Sequence, residues 1–537
     1  MGWIRVLLRR SGLYVYLGGV RVINISLKGR FCKIQLLVPI FITACIVSCS
    51  IIDMTPDSMS RSNVIPLTAQ ARVSASNSLV VKVIGELSNP GQVSVVYWSD
   101  SGPQLESHPV SVSGTTYSVD IVRLRADTRY QYQVFGISDT GFRTGSEINS
   151  FLTGSLPEAL AKARFDVVYG QSSYPLTFLE FRQRTFYGFV AIDSDGYVVW
   201  YYEAAEGHEP YVMDQREDGN IVYLDGGFGV VAHGLAEITP LGEEMARLDD
   251  LCPPQGPMHH EVKLMDDGRI MYLSRTIEYG GAGLDATPQE GDTLGIWDPY
   301  KGTNEIVWNI FDHISPDDRT LPDSNSTLPE QFMWGGCDKD TSVQDWSHGN
   351  SIHINDDGTV LLSFRHLDQI VKLSADLEEV LWRLGGPGSQ FEFTYDEDKF
   401  YHQHSASELA DGNIILFDNG NNRPALEGGE YSRALELRLD HKNRTVHKVW
   451  EYRHSPDLFA DCCSNVERLD NGHSLLVFGM DSADVCCRTF TIVEVDQIGD
   501  IIWRVDHTSP GKFSQYRVFP SKAIMKEREI TEGISAP

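Results

Sequence analysis

The sequence is poor in positive charge for its length. Its 537 residues include 45 lysines and arginines against 74 aspartates and glutamates, a formal net charge of −29. Such an acidic chain repels phosphate backbones, so a nucleic-acid partner is not expected. With 42% hydrophobic and 10% aromatic residues, the composition is that of a globular protein and not of a disordered one. The length predicts two or three folded units, or one large all-β unit.

Several motifs that would announce an activity are absent. The chain has no phosphate-binding loop of the form G-x-x-x-x-G-K-[ST] and no nucleophile elbow of the form G-x-S-x-G. Its Asp-Gly turns lack the alternating carboxylates of a calcium-binding EF-hand. No segment shows a helical period of consequence. These absences leave an all-β protein, and we expect it to need no cofactor.

Acidic residues are also missing from the first 48 positions, which carry seven basic ones. An apolar run follows at 34–52, long enough for either an export signal or an uncleaved membrane anchor. Cys45 and Cys49 each end a tetrapeptide that resembles a bacterial lipobox, with Cys49 favoured. We therefore interpret 1–50 as a signal or anchor and 51–64 as a linker. The body is predicted to be exported to the periplasm and tethered to the membrane.

Nine cysteines fit an oxidising compartment. Three lie in the leader, and the other six are Cys252, Cys337 and two doublets, Cys462-Cys463 and Cys486-Cys487. The even count permits disulfides, and the doublets could cross-link neighbouring strands. A metal site is the alternative, although adjacent cysteines lack the usual spacer between ligands.

The segment 65–156 predicts a β-sandwich. It consists of short alternating strands separated by turn residues, with no helical period. Its stretch Leu124–Tyr130 and its end at Ser150–Thr153 resemble a fibronectin type III domain. Such a module serves as a spacer, and nothing in it indicates catalysis.

The rest of the chain repeats a two-hairpin unit. One hairpin turns at Asp-Gly or Asn-Gly, the strongest short hairpin signal, because a type I′ turn needs positive φ. The turn glycines are Gly219, Gly268, Gly358, Gly412 and Gly472. The second hairpin ends in tryptophan, at Trp200, Trp308, Trp382, Trp450 and Trp503, with a degenerate copy at Gly242–Leu248. Six such units predict a six-bladed β-propeller over 157–520, followed by a tail over 521–537. One repeat is longer, and its excess, Glu278–Asp345, is interpreted as an inserted loop.

Polar side chains recur at matched positions of these repeats. Eight residues before a turn glycine stand His260, Asn350, His404 and Ser464, flanked by His259, His348 and His402. Seven residues after two of the turn glycines stand Arg275 and Arg365. Equivalent strand ends of a propeller converge on its axis, so these side chains should form one ring. Histidine offers a nucleophile or a cationic donor, and arginine a fork of donors, which suits a tetrahedral oxyanion.

The recurring histidines have two alternative interpretations. A histidine at a strand start is commonly a satisfied structural residue, and a mouth rich in histidine can also bind zinc. No tight metal-ligand motif is present, so we predict no metal. Four further histidines, His313, His441, His447 and His507, are interpreted as surface residues.

At these residues the chain resembles the bacterial arylsulfate sulfotransferase family, over most of 65–510. The matching motifs are His259-His260, His348-x-Asn350-Ser351, the arginine of Ser363-Phe364-Arg365, and Gln403-His404-Ser405. The resemblance implies an exported six-bladed propeller with an N-terminal β-sandwich. It also implies transfer of a sulfuryl group from a phenolic sulfate ester to a phenol, through a sulfohistidine and without a nucleotide sulfate donor.

The resemblance assigns roles by position. His404 would be the nucleophile, and His260, His348 and Arg365 would complete the catalytic set. Substrate contacts would come from Asn350, His259, Ser464, His402 and Arg275. Gly349 stands where the family tends to carry threonine, which removes a hydroxyl and bears on acceptor choice. Two alternatives remain open: a propeller scaffold that binds an anion without chemistry, and a metal-dependent propeller hydrolase.

Overall fold

The computed structural model describes the backbone of 4–9, 12–17 and 20–25, and residues 63–183, 185–226, 234–249, 257–278, 288–316, 344–479, 489–508 and 515–530. Residues 1–62 and 63–537 are two separate units. The first contains an antiparallel meander of β1 (Ile4–Arg9), β2 (Gly12–Leu17) and β3 (Val20–Ile25). The apolar run at 34–52 lies outside the described residues, and the export and lipid-anchor predictions stay predictions. Among the residues described, no helix combines the length and the apolar character needed to cross a membrane.

The second unit begins with two sheets packed face to face. One contains β4 (Pro66–Val73), β5 (Val81–Leu87) and β9 (Thr116–Ile121). The other contains β6 (Gly91–Trp98), β7 (Leu105–Glu106), β8 (Val110–Val112), β10 (Arg129–Ile137), β11 (Arg143–Gly145) and β12 (Asn149–Leu152). Alternate residues of β10, such as Tyr130, Tyr132 and Val134, are buried between the sheets. A sandwich thus occupies the predicted segment, while its fibronectin type III identity stays a prediction.

The C-terminal segment, interpreted from sequence as a tail, joins this sandwich. Strand β40 (Arg528–Glu529) pairs antiparallel with β7. Two ion pairs accompany the pairing: Arg528 Nη2 lies 2.6 Å from the buried Glu106 carboxylate, and Arg123 contacts Glu529. The end of the chain therefore contributes an edge strand to the sandwich.

Between the sandwich strands and β40, the described residues form six sheets of four or five strands, antiparallel except for the parallel pairs of β25 with β23 and of β30 with β34. Sheet 1 contains β14 (Leu176–Gln183), β15 (Phe186–Asp193), β16 (Val198–Glu203) and β39 (Val518–Ser521). Sheet 2 contains β17 (Pro210–Gln215), β18 (Ile221–Asp225), β19 (Gly234–Ile238) and β20 (Glu244–Asp249). Sheet 3 contains β21 (Met258–Leu264), β22 (Ile270–Glu278), β23 (Gln289–Asp298), β24 (Thr303–Asn309) and β25 (Gln344–Asp345).

The other three sheets follow in chain order. Sheet 4 contains β26 (Gly349–Ile354), β27 (Val360–Phe364), β28 (Gln369–Leu373) and β29 (Val380–Leu384). Sheet 5 contains β30 (Glu392–Phe393), β31 (His404–Glu408), β32 (Ile414–Asp418), β33 (Arg433–Asp440) and β34 (Thr445–Tyr452). Sheet 6 contains β35 (Asn465–Arg468), β36 (Ser474–Phe478), β37 (Thr489–Val495), β38 (Ile501–Thr508) and β13 (Arg164–Gly170). The described helices are short: α1 (Glu158–Ala161) and 3₁₀ turns at Ile310–Asp312, Arg365–Leu367, Asp396–Asp398 and Ala425–Glu427.

The all-β prediction is confirmed, while the six-bladed propeller stays a prediction. Each predicted turn glycine joins the first two strands of a sheet with φ between 81° and 95°. Each tryptophan hairpin supplies the fourth strand of a sheet, as β16, β24, β29, β34 and β38. The predicted inserted loop at Glu278–Asp345 is in part wrong, because it includes β23 and β24, two regular strands of sheet 3.

Consecutive sheets contact one another through their first strands, in the order β17, β21, β26, β31 and β35. The first and last strands of this six-sheet region, β13 and β39, connect sheet 1 with sheet 6. Strand β13 pairs with β38 in sheet 6, and β39 pairs with β14 in sheet 1 and contacts β36 of sheet 6. The sheets therefore close on one another, and the first strands start at one common end.

The cysteine prediction cannot be followed through the structure. Cys462 and Cys463 lie just before β35, with Cys463 buried. Cys252, Cys337, Cys486 and Cys487 lie outside the described residues. The disulfides stay a prediction.

His507 corrects one sequence interpretation. It was placed at the surface, yet its side chain is fully buried in β38 against Phe165, Phe181 and Phe490, with ring centroids 4.7, 6.1 and 4.6 Å away. Burial in this aromatic cluster lowers the pKa of His507 from 6.5 to about 4. His313 and His441 are exposed and His447 is partly exposed, as predicted.

The lowered pKa of His507 makes stability depend on pH. The unfolded chain takes up this proton near pH 6.5 but the folded chain only near pH 4, so the free energy of unfolding falls as the pH drops through that window. We expect His507 to contribute about 2 kcal/mol to the loss between pH 7 and pH 4.5. Urea unfolding of His507→Phe at the two pH values should show a loss smaller by that amount. His447→Phe is the control, and an equal loss in both variants would contradict the assignment.

Candidate active site

Local backbone geometry sets the histidine side chains at the start of the first strands. His260, His348 and His402 have positive φ, at 59°, 52° and 54°. The strand register shifts nearby, between Met258 and Val262 in β21 and between Gly349 and Ser351 in β26. Such bulges re-aim side chains, and positive φ in non-glycine residues concentrates at functional sites.

Six imidazoles gather at this end of the sheets, and we call them the imidazole cluster: His259, His260, His348, His366, His402 and His404. The ring centroids of His260 and His348 are 4.7 Å apart, and those of His348 and His366 are 4.5 Å apart. His260 and His404 both contact the ring of Tyr516, at 5.8 and 6.1 Å. Side chains from sheets 3, 4 and 5 therefore meet in one place, as the repeat register predicts.

Asn419 holds His404 in one orientation. The Nδ1 atom of His404 lies 2.7 Å from the Oδ1 atom of Asn419. The Nδ2 atom of Asn419 donates to the carbonyls of Ala460 and Cys463, at 2.8 and 3.1 Å, so its Oδ1 atom is the acceptor that faces the ring. The imidazole proton then belongs on Nδ1, and the Nε2 atom of His404 carries the lone pair.

Carboxylates hold two further rings. The Nδ1 atom of His348 contacts a carboxylate oxygen of Asp345, and the Nδ1 atom of His366 lies 3.0 Å from the backbone carbonyl of Asp345. Burial alone would raise the pKa of Asp345, but His348 and His366 hold it well below its usual range. The Nε2 atom of His259 lies 3.0 Å from Asp292. A carboxylate beside a ring nitrogen orients the imidazole and selects its tautomer.

Burial also controls the charge of the cluster. It lowers the pKa of His404 well below the ordinary value, and the positive charge of Arg365 lowers it further. For His260, burial lowers the pKa strongly and His348 adds to the shift. The hydrogen bond that His404 donates to Asn419 opposes this lowering of the pKa without being the largest effect. Near neutral pH these two rings are therefore uncharged, and His404 is available as a nucleophile.

Arg365 brings fixed positive charge to the cluster. Its Nη2 atom donates to the carbonyl of Asp461 at 3.1 Å, and its backbone N–H donates to the carbonyl of His348 at 3.0 Å. Its Nε atom is buried and has no hydrogen-bond partner among the described residues. A buried donor of this kind can accept an anionic oxygen without losing an existing bond.

Asn350 is partly committed to the scaffold. Its Nδ2 atom donates to the carbonyl of Gln403 at 2.7 Å, and its Oδ1 atom is buried without a partner in the described part of the chain. Its backbone carbonyl accepts from Arg517 at 2.5 Å. The side chain joins sheets 4 and 5 and lies beside the cluster. Its predicted role in binding substrate stays a prediction.

The other predicted contact residues have protein neighbours of their own. The Oγ atom of Ser464 accepts from the backbone N–H of Gly479 at 3.0 Å. The Nδ1 atom of His402 lies 3.3 Å from Asp368, and the Nε atom of Arg275 lies 3.2 Å from Glu290. His259 lies between Asp292 and His260, which gives it a supporting position. The structure brings these residues to the same end of the sheets and leaves their roles as predictions.

A buried ion pair supports the cluster from below. Arg517 contacts Glu261, and both side chains are almost fully buried. Its guanidinium also lies 5.1 Å from the centroid of the Tyr516 ring, the ring that His260 and His404 contact. Through Tyr516, this ion pair helps to hold His260 and His404 in place.

The sequence analysis missed several of these residues. Asn419 stands seven residues after Gly412, at the same register as Arg275 and Arg365. The repeat pattern could therefore have predicted it. His366 directly follows Arg365. Asp345 and Asp292 had no repeat signal, because they come from β25 and β23, which approach the cluster only after folding.

A metal ion has one candidate position in the described part of the chain. Asp345, His348 and His366 each offer a ligand atom, and these atoms lie within 4.8 Å of one another. Two imidazoles and a carboxylate suit zinc or iron. The three residues also contact one another directly, His348 through the Asp345 carboxylate and His366 through the Asp345 backbone carbonyl.

A cavity of about 1050 Å³ lies at the other end of the first strands. Its walls include Asp214, Lys263, His353, Glu408 and Glu467. It also contacts Arg517 and Glu261 but none of the clustered imidazoles. The volume of a cavity is therefore not what identifies the site here, and we place the candidate site at the imidazole cluster.

Comparison with known proteins gives the family. The arylsulfotransferase (ASST) family model matches residues 166–517. The arylsulfate sulfotransferase AssT of Escherichia coli O6:H1 is 30% identical over 174 residues, which are 25% of this chain and 28% of that protein. AssT of Lelliottia amnigena is 33% identical over 140 residues, 20% of this chain and 23% of that protein. These alignments span about a quarter of each relative's length.

The similarity to solved structures is weak. A protein of unknown function from Bacteroides caccae has a TM-score of 0.40 at 13% identity, over 65% of this chain and 100% of that one. The family match, in contrast, includes every first strand from β17 to β35 and every histidine of the imidazole cluster. The chain therefore belongs to the arylsulfotransferase family.

Proposed function

We propose that this protein moves a sulfuryl group from a phenolic sulfate ester to a phenolic acceptor, with His404 carrying the group between them. One observation carries the proposal: imidazoles from three sheets converge, and the Nδ1 atom of His404 is tied to Asn419 so that Nε2 presents a lone pair. Family membership supports sulfuryl transfer between aryl groups. The covalent intermediate on His404, which the resemblance to the family implies, is part of this proposal, and the orientation of His404 supports it.

The first half-reaction makes one bond and breaks one. The Nε2 lone pair of His404 attacks sulfur, and the S–O bond to the phenol breaks with its electron pair leaving on the phenolate. The proton on Nδ1 stays in its hydrogen bond to Asn419 and stabilises the positive charge that the ring acquires. In the second half-reaction a phenol oxygen attacks sulfur, and the S–N bond breaks back onto Nε2.

The transition state spreads negative charge over the sulfuryl oxygens. Arg365 is the cation that most lowers the pKa of His404, and its buried Nε–H is available as a donor. His348 and His260, from sheets 4 and 3, stand in contact with each other beside it. The net acidic protein repels an anionic ester at long range, so this local set of donors has to supply the attraction.

The test is acceptor-dependent release of a chromogenic phenol. The purified protein is incubated with 4-nitrophenyl sulfate, with and without phenol, and nitrophenol and phenyl sulfate are both measured. We expect phenyl sulfate to form and steady nitrophenol release to require phenol, with ping-pong kinetics. Steady release into water alone would instead indicate a hydrolase, and no release would favour a scaffold that binds the anion.

A metal-dependent hydrolase is the second candidate, favoured by the group of Asp345, His348 and His366. It predicts loss of activity with a chelator and recovery with zinc. Sulfuryl transfer through His404 predicts unchanged rates under chelation. The same assay separates the two.

A further inference from the structure

A chain of close contacts leads from Asp292 to the centre of the imidazole cluster. The Nε2 atom of His259 lies 3.0 Å from Oδ1 of Asp292, and its Nδ1 atom lies 2.8 Å from Nδ1 of His260. Asp292 and His259 are nearly fully buried, so water does not replace these contacts. His260 is the last member and contacts His348 and Tyr516.

The position of each proton follows from the donors and acceptors. An ionised carboxylate only accepts, so the Nε2 atom of His259 carries the proton that faces Asp292. In a neutral His259 ring the Nδ1 atom is then an acceptor. The proton between the two Nδ1 atoms therefore belongs to His260, and the Nε2 atom of His260 is left with a lone pair.

Asp292 is itself fixed from the opposite side. Its Oδ2 atom accepts from Oγ of Ser347 at 2.5 Å and from the backbone N–H of Gly349 at 2.7 Å. These bonds leave Oδ1 for His259. Asp292 belongs to β23 and Gly349 to β26, so the contact joins sheets 3 and 4 directly behind the cluster.

Gly349 is what allows the carboxylate to come this close. A Cβ atom at this position would lie 2.7 Å from Oδ1 and 2.8 Å from Cγ of Asp292, distances at which one of the groups has to move. The missing side chain at 349, noted in the sequence as a departure from the family pattern, thus has a structural counterpart in this chain.

We propose that Asp292 and His259 are positioning residues that present Nε2 of His260 as the base for the acceptor phenol, with Gly349 making room for Asp292. This inference rests on the proposed sulfuryl transfer and names the proton path within it. As the phenol oxygen bonds to sulfur and the S–N bond to His404 breaks, the phenol proton passes to Nε2 of His260. In the next turnover that proton goes to a basic departing phenolate, or to solvent when the leaving group is as weakly basic as nitrophenolate, so protons balance over the cycle.

Asp292→Asn tests the path because the new amide has only one way to fit. Its oxygen stays on the N–H of Gly349, so its NH₂ group faces Nε2 of His259. That arrangement forces the His259 proton to Nδ1 and the His260 proton to Nε2, which removes the base. An amide in place of an orienting carboxylate costs about 10⁴-fold in the serine-protease triad, and we expect roughly 10²–10⁴-fold here.

The readout separates the two half-reactions. Intact-mass measurement after adding 4-nitrophenyl sulfate follows formation of the sulfuryl adduct, and adding phenol then follows its discharge. Nitrophenolate leaves without a proton, so we expect the variant to form the adduct with a much smaller loss of rate than in its discharge. The adduct should therefore accumulate in Asp292→Asn and not in the wild type at the same phenol concentration.

Two more variants complete the test. Asp470→Asn makes the same carboxylate-to-amide change at an exposed pair with Lys522, outside the cluster, so its discharge rate should stay within about threefold of wild type. Gly349→Ala should slow discharge as Asp292→Asn does, because the new Cβ displaces the carboxylate. Discharge as fast in Asp292→Asn as in wild type, or an equal loss in both half-reactions, would overturn the inference. A wild-type protein that never forms an adduct would instead overturn the proposed function.

Discussion

Replacing His404 by asparagine is expected to stop release of nitrophenol from 4-nitrophenyl sulfate. The substitution removes the only atom that we assign as nucleophile, the Nε2 atom that Asn419 orients. Loss of a catalytic nucleophile in a well-studied protease costs about 10⁶-fold in turnover, and we expect roughly 10⁵-fold or more here. No sulfuryl adduct should appear by intact-mass measurement.

The variant needs a matched control for the removal of a histidine. His447→Asn changes a partly exposed ring on β34, in contact with Thr394 and away from the cluster. We expect this variant to retain wild-type turnover. Thermal unfolding of both variants shows whether the fold persists. Turnover by a folded His404→Asn variant within tenfold of wild type would contradict the assignment of the nucleophile.

Replacing Arg517 by methionine is expected to cause a large loss of stability. The side chains of Arg517 and Glu261 are 4% and 1% exposed, so removing the arginine leaves a buried carboxylate without its charge partner. Breaking a buried pair in this way costs about 3–5 kcal/mol. The free energy of unfolding, measured in urea, should fall by that amount, and the support of Tyr516 and Asn350 is lost with it.

Two further variants show whether the charge itself is responsible. Glu261→Leu combined with Arg517→Met removes both charges and should recover most of the lost stability. Lys162→Met breaks an exposed pair with Glu158 and should cost no more than about 1 kcal/mol. If Arg517→Met cost as little as Lys162→Met, the buried pair would not stabilise this site.

Local chemistry made the hairpins predictable. The five turn glycines adopt positive φ as predicted, but the Asp or Asn before each of them does not, so the positions of the turns were predicted correctly and their type I′ geometry was not. For His507, the alternation of residues along a strand could have predicted burial in the same way. Trp503, Val505 and His507 alternate along β38 and are all buried, and the period of two would have placed the histidine inside. Its polar character was given more weight than its position in the strand.

Repeat register also predicted the members of the site that come from equivalent positions. His260 and His404 start equivalent strands, and closure of the sheets brings equivalent ends together. Asn419 fits the same register and could have been found. Asp292 and Asp345 could not, because they reach the imidazoles from strands that no repeat position marks.

By itself the sequence determined the all-β class, the number of hairpin pairs and the histidines that gather at one end, because turn chemistry and alternation act between near neighbours. The tertiary structure alone decided which atom of each histidine is tied down and which keeps its lone pair. That choice depends on contacts between residues far apart in the chain, such as the close approach of Asp292 to His259 and its hydrogen bond from Ser347. No local preference specifies such a bond, since its geometry exists only after the sheets have packed.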